Sequence, residues 1–355
     1  MKSSRNYIVV LGLLAIVAVG CQSVNTTSAK LRNQEGNYEL AIDLAKKALA
    51  DNPNDAEAYF QLGVSYSHID SVALAYENFQ KAKDLDPKKV RDVDNNIQHN
   101  FAKHYKLGQS AFNRKDYTTA VEEFGLAADA DPSQAVAYYN LGVAHSRLAK
   151  DDPSHHESAI EAMDKVLAIS EPSDANYIKA LQVAGKELVA AGRAEDAIDR
   201  FKRLIEEDPT SFNVIEDIGN ELLNERDWDG AVIFLKMAAE ARAKIDAEDF
   251  TVFYNIGAAL YNLRKEDSSA TLEAITYYER ALALREDEPQ TIFNIIVAYV
   301  SLEQWNDAIT WGEKYVNINS DDSKGWQLLA RSYSEAGERE KAREAMTRFE
   351  QLREQ

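Results

Sequence analysis

Residues 59–87 read YFQLGVSYSHIDSVALAYENFQKAKDLDP. Tyr59, Leu62, Gly63 and Tyr66 recur at spacings of three and four, and so do Ala75, Phe79 and Ala82. Such spacing places each set on one face of a helix, so the stretch reads as two helices lying back to back. Gly63 and Ala75 are small, which lets the two helices approach closely. Tyr59, Leu62, Tyr66 and Phe79 are large and fill the space between this pair and its neighbours. Pro87 cannot continue the second helix and ends the unit.

The same register recurs down the chain. It finds Leu107, Gly108, Ala120, Phe124, Ala127 and Pro132, then Tyr138, Leu141, Gly142, Ala159 and Met163. Gly185, Ala197, Phe201 and Pro209 follow, then Ile218, Gly219, Leu222, Ala231 and Ala238. Later copies carry Ile256, Gly257, Leu260, Ala274, Tyr278 and Ala281; Tyr299, Trp305 and Ala308; and Trp326, Leu329, Tyr333, Ala342 and Met346. A degenerate first copy shows Gly36, Asn37, Tyr38, Ala41, Ala45, Ala48 and Pro53.

The unit, of about 34 residues, resembles the tetratricopeptide repeat. The resemblance implies an all-α fold, a right-handed superhelical α-solenoid of about nine helix-turn-helix units. Approximate units are residues 22–55, 56–89, 101–134, 135–172, 178–211, 212–245, 250–288, 289–322 and 323–355, with the array expected from residue 28 and Ser28 as the first helix cap. Ile296 and Ala330 replace the glycine of the motif, and Ala243 and Ser320 replace the terminal proline. The extra residues at 90–100, and the longer turns at 149–157 and 264–270, are expected as loops, which absorb insertions cheaply.

Composition agrees with helices: 45% of residues are hydrophobic and 28% charged, with only 7 Pro and 15 Gly in 355. The net charge of -19 repels nucleic acid and anionic lipid, so neither is an expected partner of the array itself.

At the N-terminus, Lys2 and Arg5 precede an apolar run at residues 8–19, and Ala18, Val19, Gly20 and Cys21 follow as a cleavage site. The run is too short to span a hydrocarbon core of about 30 Å. These four residues resemble the bacterial lipobox. That implies a signal peptide at 1–20, acylation of Cys21, a short tether at 21–27 and attachment to a membrane by lipid alone. Gln22 stands where an Asp would retain a lipoprotein at the inner membrane, so an outer-membrane site facing the periplasm is expected in a diderm host. Acylation would use up the chain's one Cys, leaving packing to stabilise the fold.

In tetratricopeptide proteins the first helix of each unit lines a concave groove. Carried onto this sequence, that lining is Phe60, Tyr105, Gln109, Phe112, Tyr139, Asn140, Val143, Lys186, Glu216, Asn220, Tyr254, Asn255, Tyr261, Phe293, Asn294 and Arg331. Aromatic rings offer contact area with little rotamer entropy to lose, and amides can pair with peptide main chain, so the lining suits a segment of another protein. Asn140, Asn255 and Asn294 share one repeat position, as in relatives that hold peptide with an asparagine ladder. Lys106, Val183, Asp217 and Leu328 interrupt the series. Lys106, Lys179 and Lys186 do not form the pattern that clamps a C-terminal carboxylate.

Motifs of catalysis fail on their spacing. After His156 and Glu157, Ile160 stands where a zinc-protease helix needs its second His. Asp129 and Asp131 precede Pro132 in an ordinary repeat end, not in a calcium loop. His99, His104, His155 and His156 are expected as solvated side chains. The expected role is therefore a membrane-anchored scaffold that binds partner proteins or peptides in envelope assembly, without catalysis, metal or cofactor. The alternatives are self-association through the last helix, read from about residue 338, or a small-molecule binder or enzyme.

Overall fold

The computed structural model describes residues 23–263 and 268–354. Cys21 and most of the 264–270 turn therefore lie outside the described residues. Among those described, the α-helices number 18. They are α1 (Val24–Gln34), α2 (Tyr38–Asp51), α3 (Ala56–His68), α4 (Val72–Leu85), α5 (Val90–Asn113), α6 (Tyr117–Ala130), α7 (Ala135–Leu148), α8 (His155–Ile169) and α9 (Ala175–Ala190). Then come α10 (Ala194–Glu207), α11 (Phe212–Glu225), α12 (Trp228–Ala243), α13 (Phe250–Leu263), α14 (Ser268–Leu284), α15 (Pro289–Ser301), α16 (Trp305–Ile318), α17 (Ser323–Glu335) and α18 (Arg339–Arg353). Consecutive helices pair into nine hairpins, an all-α solenoid architecture.

The helices group into two compact units, one up to Ala137 and one from Tyr138 onward. In the first, Ala29, Ile42, Ala45 and Leu62 form one cluster, and Ala75, Phe79, Ala82, Val93 and Ile97 another. In the second, a single cluster runs from Ile160 to Ala345.

The glycine of the repeat is explained by what lies over it. A Cβ on Gly63, Gly108, Gly185 or Gly257 would come within 2.5, 2.7, 2.4 or 2.7 Å of the ring of Phe79, Phe124, Phe201 or Tyr278. The aromatic ring of the second helix thus occupies the space left by the missing side chain of the first. In the eighth hairpin the sizes reverse: Ile296 is fully buried at the glycine position, and Gly312 stands where the ring would be.

The proline does more than stop a helix. Asp86, Asp131 and Asp208 each precede a proline, which forces them into extended backbone. Each carboxylate then accepts the amide two residues on, from Lys88, Ser133 and Thr210, at 3.0, 3.1 and 3.0 Å. That bond starts the chain into its next helix.

Three sequence expectations are corrected. Helix α1 begins at Val24, capped by the Ser23 hydroxyl on the Thr26 amide, so residues 24–27 are helix and Ser28 lies inside it. Residues 90–100 are not a loop but the opening turns of the 24-residue α5, because Val93, Ile97 and Asn100 give the insertion a buried face. The 149–157 turn is shorter than expected, since His155 and His156 already belong to α8.

Candidate functional site

All sixteen proposed groove residues sit on first helices of hairpins, and none is fully buried. Gln109, Lys186 and Arg331 are exposed and the rest half-buried. What each touches separates them.

In the first unit the aromatic candidates pack on their own hairpins. Phe60 lies 5.7 Å from Phe79 with the Lys89 ammonium 4.9 Å over its ring. Tyr105 stacks on Phe101 and tilts against Phe124, and Phe112 meets Tyr117 edge-on at 5.3 Å. Of the polar groups joining first helices here, Gln61, Ser65 and Asn100 are buried, and their partners Asn33 and Ser67 are half-buried. The Asn33 amide donates to the main-chain oxygen and Oε1 of Gln61 at 2.9 and 2.8 Å, while Ser65 donates to Asn33 Oδ1 at 2.6 Å. Asn100, 6% exposed, donates to Ser67 at 2.7 Å.

In the second unit, α11, α13 and α15 present a connected, accessible row. Asn255 donates to Asn220 Oδ1 at 2.9 Å, and Asn294 donates to the Tyr254 hydroxyl at 3.2 Å while accepting from Gln290 at 3.0 Å. Tyr254 stacks on Phe250 and tilts against buried Tyr278, whose phenol is pushed up by burial. Phe293 leans on Tyr315 at 5.5 Å, and burial, with the Asp322 carboxylate, pushes the Tyr315 phenol up to about 12. Each amide has bonding capacity beyond the bonds it makes, and the row carries no formal charge.

Glu216 does not join the row as a free acceptor. Arg242 grips its Oε2 through Nε and Nη2 at 2.9 and 2.7 Å, and lies 4.2 Å over Phe212. Tyr139 lies under the Lys179 ammonium at 5.9 Å, with its phenol pushed up by burial. Arg331 reaches over Trp305 at 5.8 Å. Asn140, Val143 and Tyr261 are half-buried on α7 and α13.

The histidines are not the solvated side chains expected, His99 apart, which is exposed. His104 is 2% exposed and donates through Nδ1 to Glu123 at 2.8 Å. His145 and His155 are hydrogen-bonded through Nδ1 atoms 2.9 Å apart, and burial, then His155, holds His145 below the ordinary histidine range. His156 donates to buried Glu187 at 2.7 Å, and Ser146 donates to the other carboxylate oxygen. A cavity of about 650 Å³ opens beside them, with Lys150, Lys186, Asp217 and Glu221 in its wall. The carboxylate lies between hydroxyl and imidazole here, so His156 cannot take the Ser146 proton, and the trio ties α7, α8 and α9 together without activating a nucleophile. The sequence showed no sign of this cluster beyond adjacent histidines, because Glu187 reaches them from another hairpin.

Among the described residues, no group of three or more acidic, His or Cys side chains is arranged to hold a metal ion, and no helix is long and apolar enough to cross a membrane.

Models of the tetratricopeptide repeat match residues 44–84 and 105–174, so the chain carries tetratricopeptide repeats there. Such repeats mediate protein–protein interactions. The chain is 26% identical over 197 residues to the DnaJ homolog subfamily C member 7 homolog of Schizosaccharomyces pombe, covering 52% of this chain and 38% of that one. It is 29% identical over 104 residues to the small glutamine-rich tetratricopeptide repeat-containing protein 2 of Mycosarcoma maydis, covering 29% and 27%. It thus spans well under half the length of these curated relatives. Among solved structures it is similar to YrrB, described as a TPR protein with an unusual peptide-binding site, at 17% identity, TM-score 0.32 and coverage of 66% and 93%. Pseudomonas aeruginosa pilF gives 17% identity and TM-score 0.33, with coverage of 62% and 92%.

Proposed function

We propose that this chain is a non-catalytic scaffold that holds an extended segment of a partner protein along α11, α13 and α15. The observation that carries the reading is the row in which Asn255 meets Asn220 and Asn294 meets Tyr254. Buried amides with every bond made serve only the fold, whereas half-accessible ones beside aromatic rings can trade water for a peptide main chain. Neutral lining selects for backbone and apolar side chains rather than for charge.

The scaffold sits on a membrane through an acylated Cys21 and, in a diderm host, on the outer membrane facing the periplasm, where it serves envelope assembly. Support for this comes from the sequence alone: a basic start, a short apolar run, and the chain's one Cys at the end of Ala18-Val19-Gly20-Cys21.

A photo-crosslinking side chain placed at Asn255, and separately at exposed Ile233 on α12, tests the groove in living cells. The expected result is one discrete adduct from Asn255 that Asn220→Ala and Asn294→Ala abolish, and none from Ile233. Equal labelling from both positions, or an adduct indifferent to the two substitutions, overturns the reading.

A further inference from the structure

The two ends of the described chain are dressed differently. On α18 the exposed side chains include Arg339, Glu340, Lys341, Arg343, Glu350 and Arg353, with Met346 at 40% the one exposed large hydrophobic, as suits a helix facing water. On α1 the pattern inverts. Val24 is 82% exposed and Leu31 50%, the two most exposed large hydrophobic side chains among the described residues. They are seven positions apart and so share one face of the helix. Exposed Lys30 lies beside Leu31, and α1 holds Lys30 and Arg32 but no acid, in a chain of net charge -19. Arg32 pairs with Glu35 just past the helix end, which leaves Lys30 as the cation beside the two apolar side chains. Exposed apolar side chains with a cation next to them suit a helix lying in a lipid interface.

What covers this face follows from the chain that precedes it. Val24 stands three residues after Cys21, and three residues reach about 11 Å at most. With acyl chains on Cys21, the start of α1 cannot leave the headgroup region.

We propose that the outer face of α1 rests on the bilayer, with Val24 and Leu31 at the acyl boundary and Lys30 among the headgroup phosphates. This rests on the anchored reading above and extends it. The acyl chains hold the protein to the membrane, and α1 fixes its orientation there. The acidic remainder of the array, repelled by anionic lipid, is turned toward water.

The experiment couples the chain from Cys21 onward, through that thiol, to a maleimide lipid in phosphatidylethanolamine and phosphatidylglycerol vesicles, and follows hydrogen exchange by mass spectrometry. Exchange in residues 24–34 slows about tenfold on vesicles relative to the free protein, while residues 339–353 are unchanged. Val24→Asp with Leu31→Asp removes the slowing although the tether remains. Equal exchange on and off the vesicle, or slowing that survives the double substitution, overturns the proposal. Mass spectrometry of the Cys21 peptide from native membranes reads the anchor separately. A free thiol there sinks the anchored reading and this proposal with it, whereas an acylated Cys21 with unslowed α1 sinks the proposal alone.

Discussion

The seam of first helices in the first unit and the row in the second use the same side chains for opposite ends. Gln61 and Asn100 are 4% and 6% exposed; Gln61 and Ser65 on α3 bond Asn33 on α1, and Asn100 on α5 bonds Ser67 on α3. Asn220, Asn255 and Asn294 are half-buried; Asn255 bonds Asn220, and Asn294 bonds the Tyr254 hydroxyl and Gln290. A buried amide must be satisfied inside the protein, since no water can replace a lost partner. A half-accessible one keeps water within reach, and that water can be exchanged for a ligand. On the proposed function, burial and not residue type separates Gln61 and Asn100, which brace the fold, from the amides offered to a partner.

The contrast can be broken in four ways. The largest effect belongs to Glu187, which lies in the second unit but is buried like the amides of the first. Glu187→Ala strands His156 and Ser146, and urea unfolding should show a loss of about 3 kcal/mol. A loss no larger than that of an exposed residue would mean that burial does not decide the matter. Gln61→Ala should cost about 1–2 kcal/mol by the same measurement and leave partner capture intact. Capture that disappears with Gln61 would make the first-unit seam part of the site. Asn220→Ala should cost under about 1 kcal/mol yet abolish the adduct formed from the crosslinking side chain at position 255. A stable variant with undiminished adduct would remove the row from the binding surface.

The smallest effect is a slope with pH at the α7–α8 hairpin. His145 holds its proton less tightly folded than unfolded, so the associated stability is present above about pH 6.5 and lost as pH falls through the lower folded value. Exchange in α7 and α8 should quicken on acidification, and His145→Gln should flatten the response. The neutral row at Asn220, Asn255 and Asn294 should show no such slope, and finding the same one there would erase the contrast.

Much of the fold was legible because one hairpin's needs are local. The small residue under Phe79, Phe124, Phe201 or Tyr278 is visible within its own copy, as is a proline that closes a unit wherever one stands. Hairpin turns were harder to read. Gly36, Gly192 and Gly337 announce their left-handed backbone, but Asp70, Lys115, Arg226 and Glu303 adopt the same conformation with no signal in their side chains. Residues 90–100 misled for a related reason: Val93 and Ile97 mark a helix face only if something lies there to cover it.

From the sequence alone came the repeat, its helices and the roster of side chains on each first helix, because spacing along a helix fixes which residues share a face. Tertiary structure decided what each of those side chains does. Arg242 claims Glu216, Glu187 gathers Ser146 and His156 from the preceding hairpin, and Asn255 finds Asn220. Each of these partners stands dozens of residues away in the sequence. The folding of α12 back onto α11 brings the first pair within bonding distance, and the stacking of one hairpin on the next brings the others there and sets how much water reaches them.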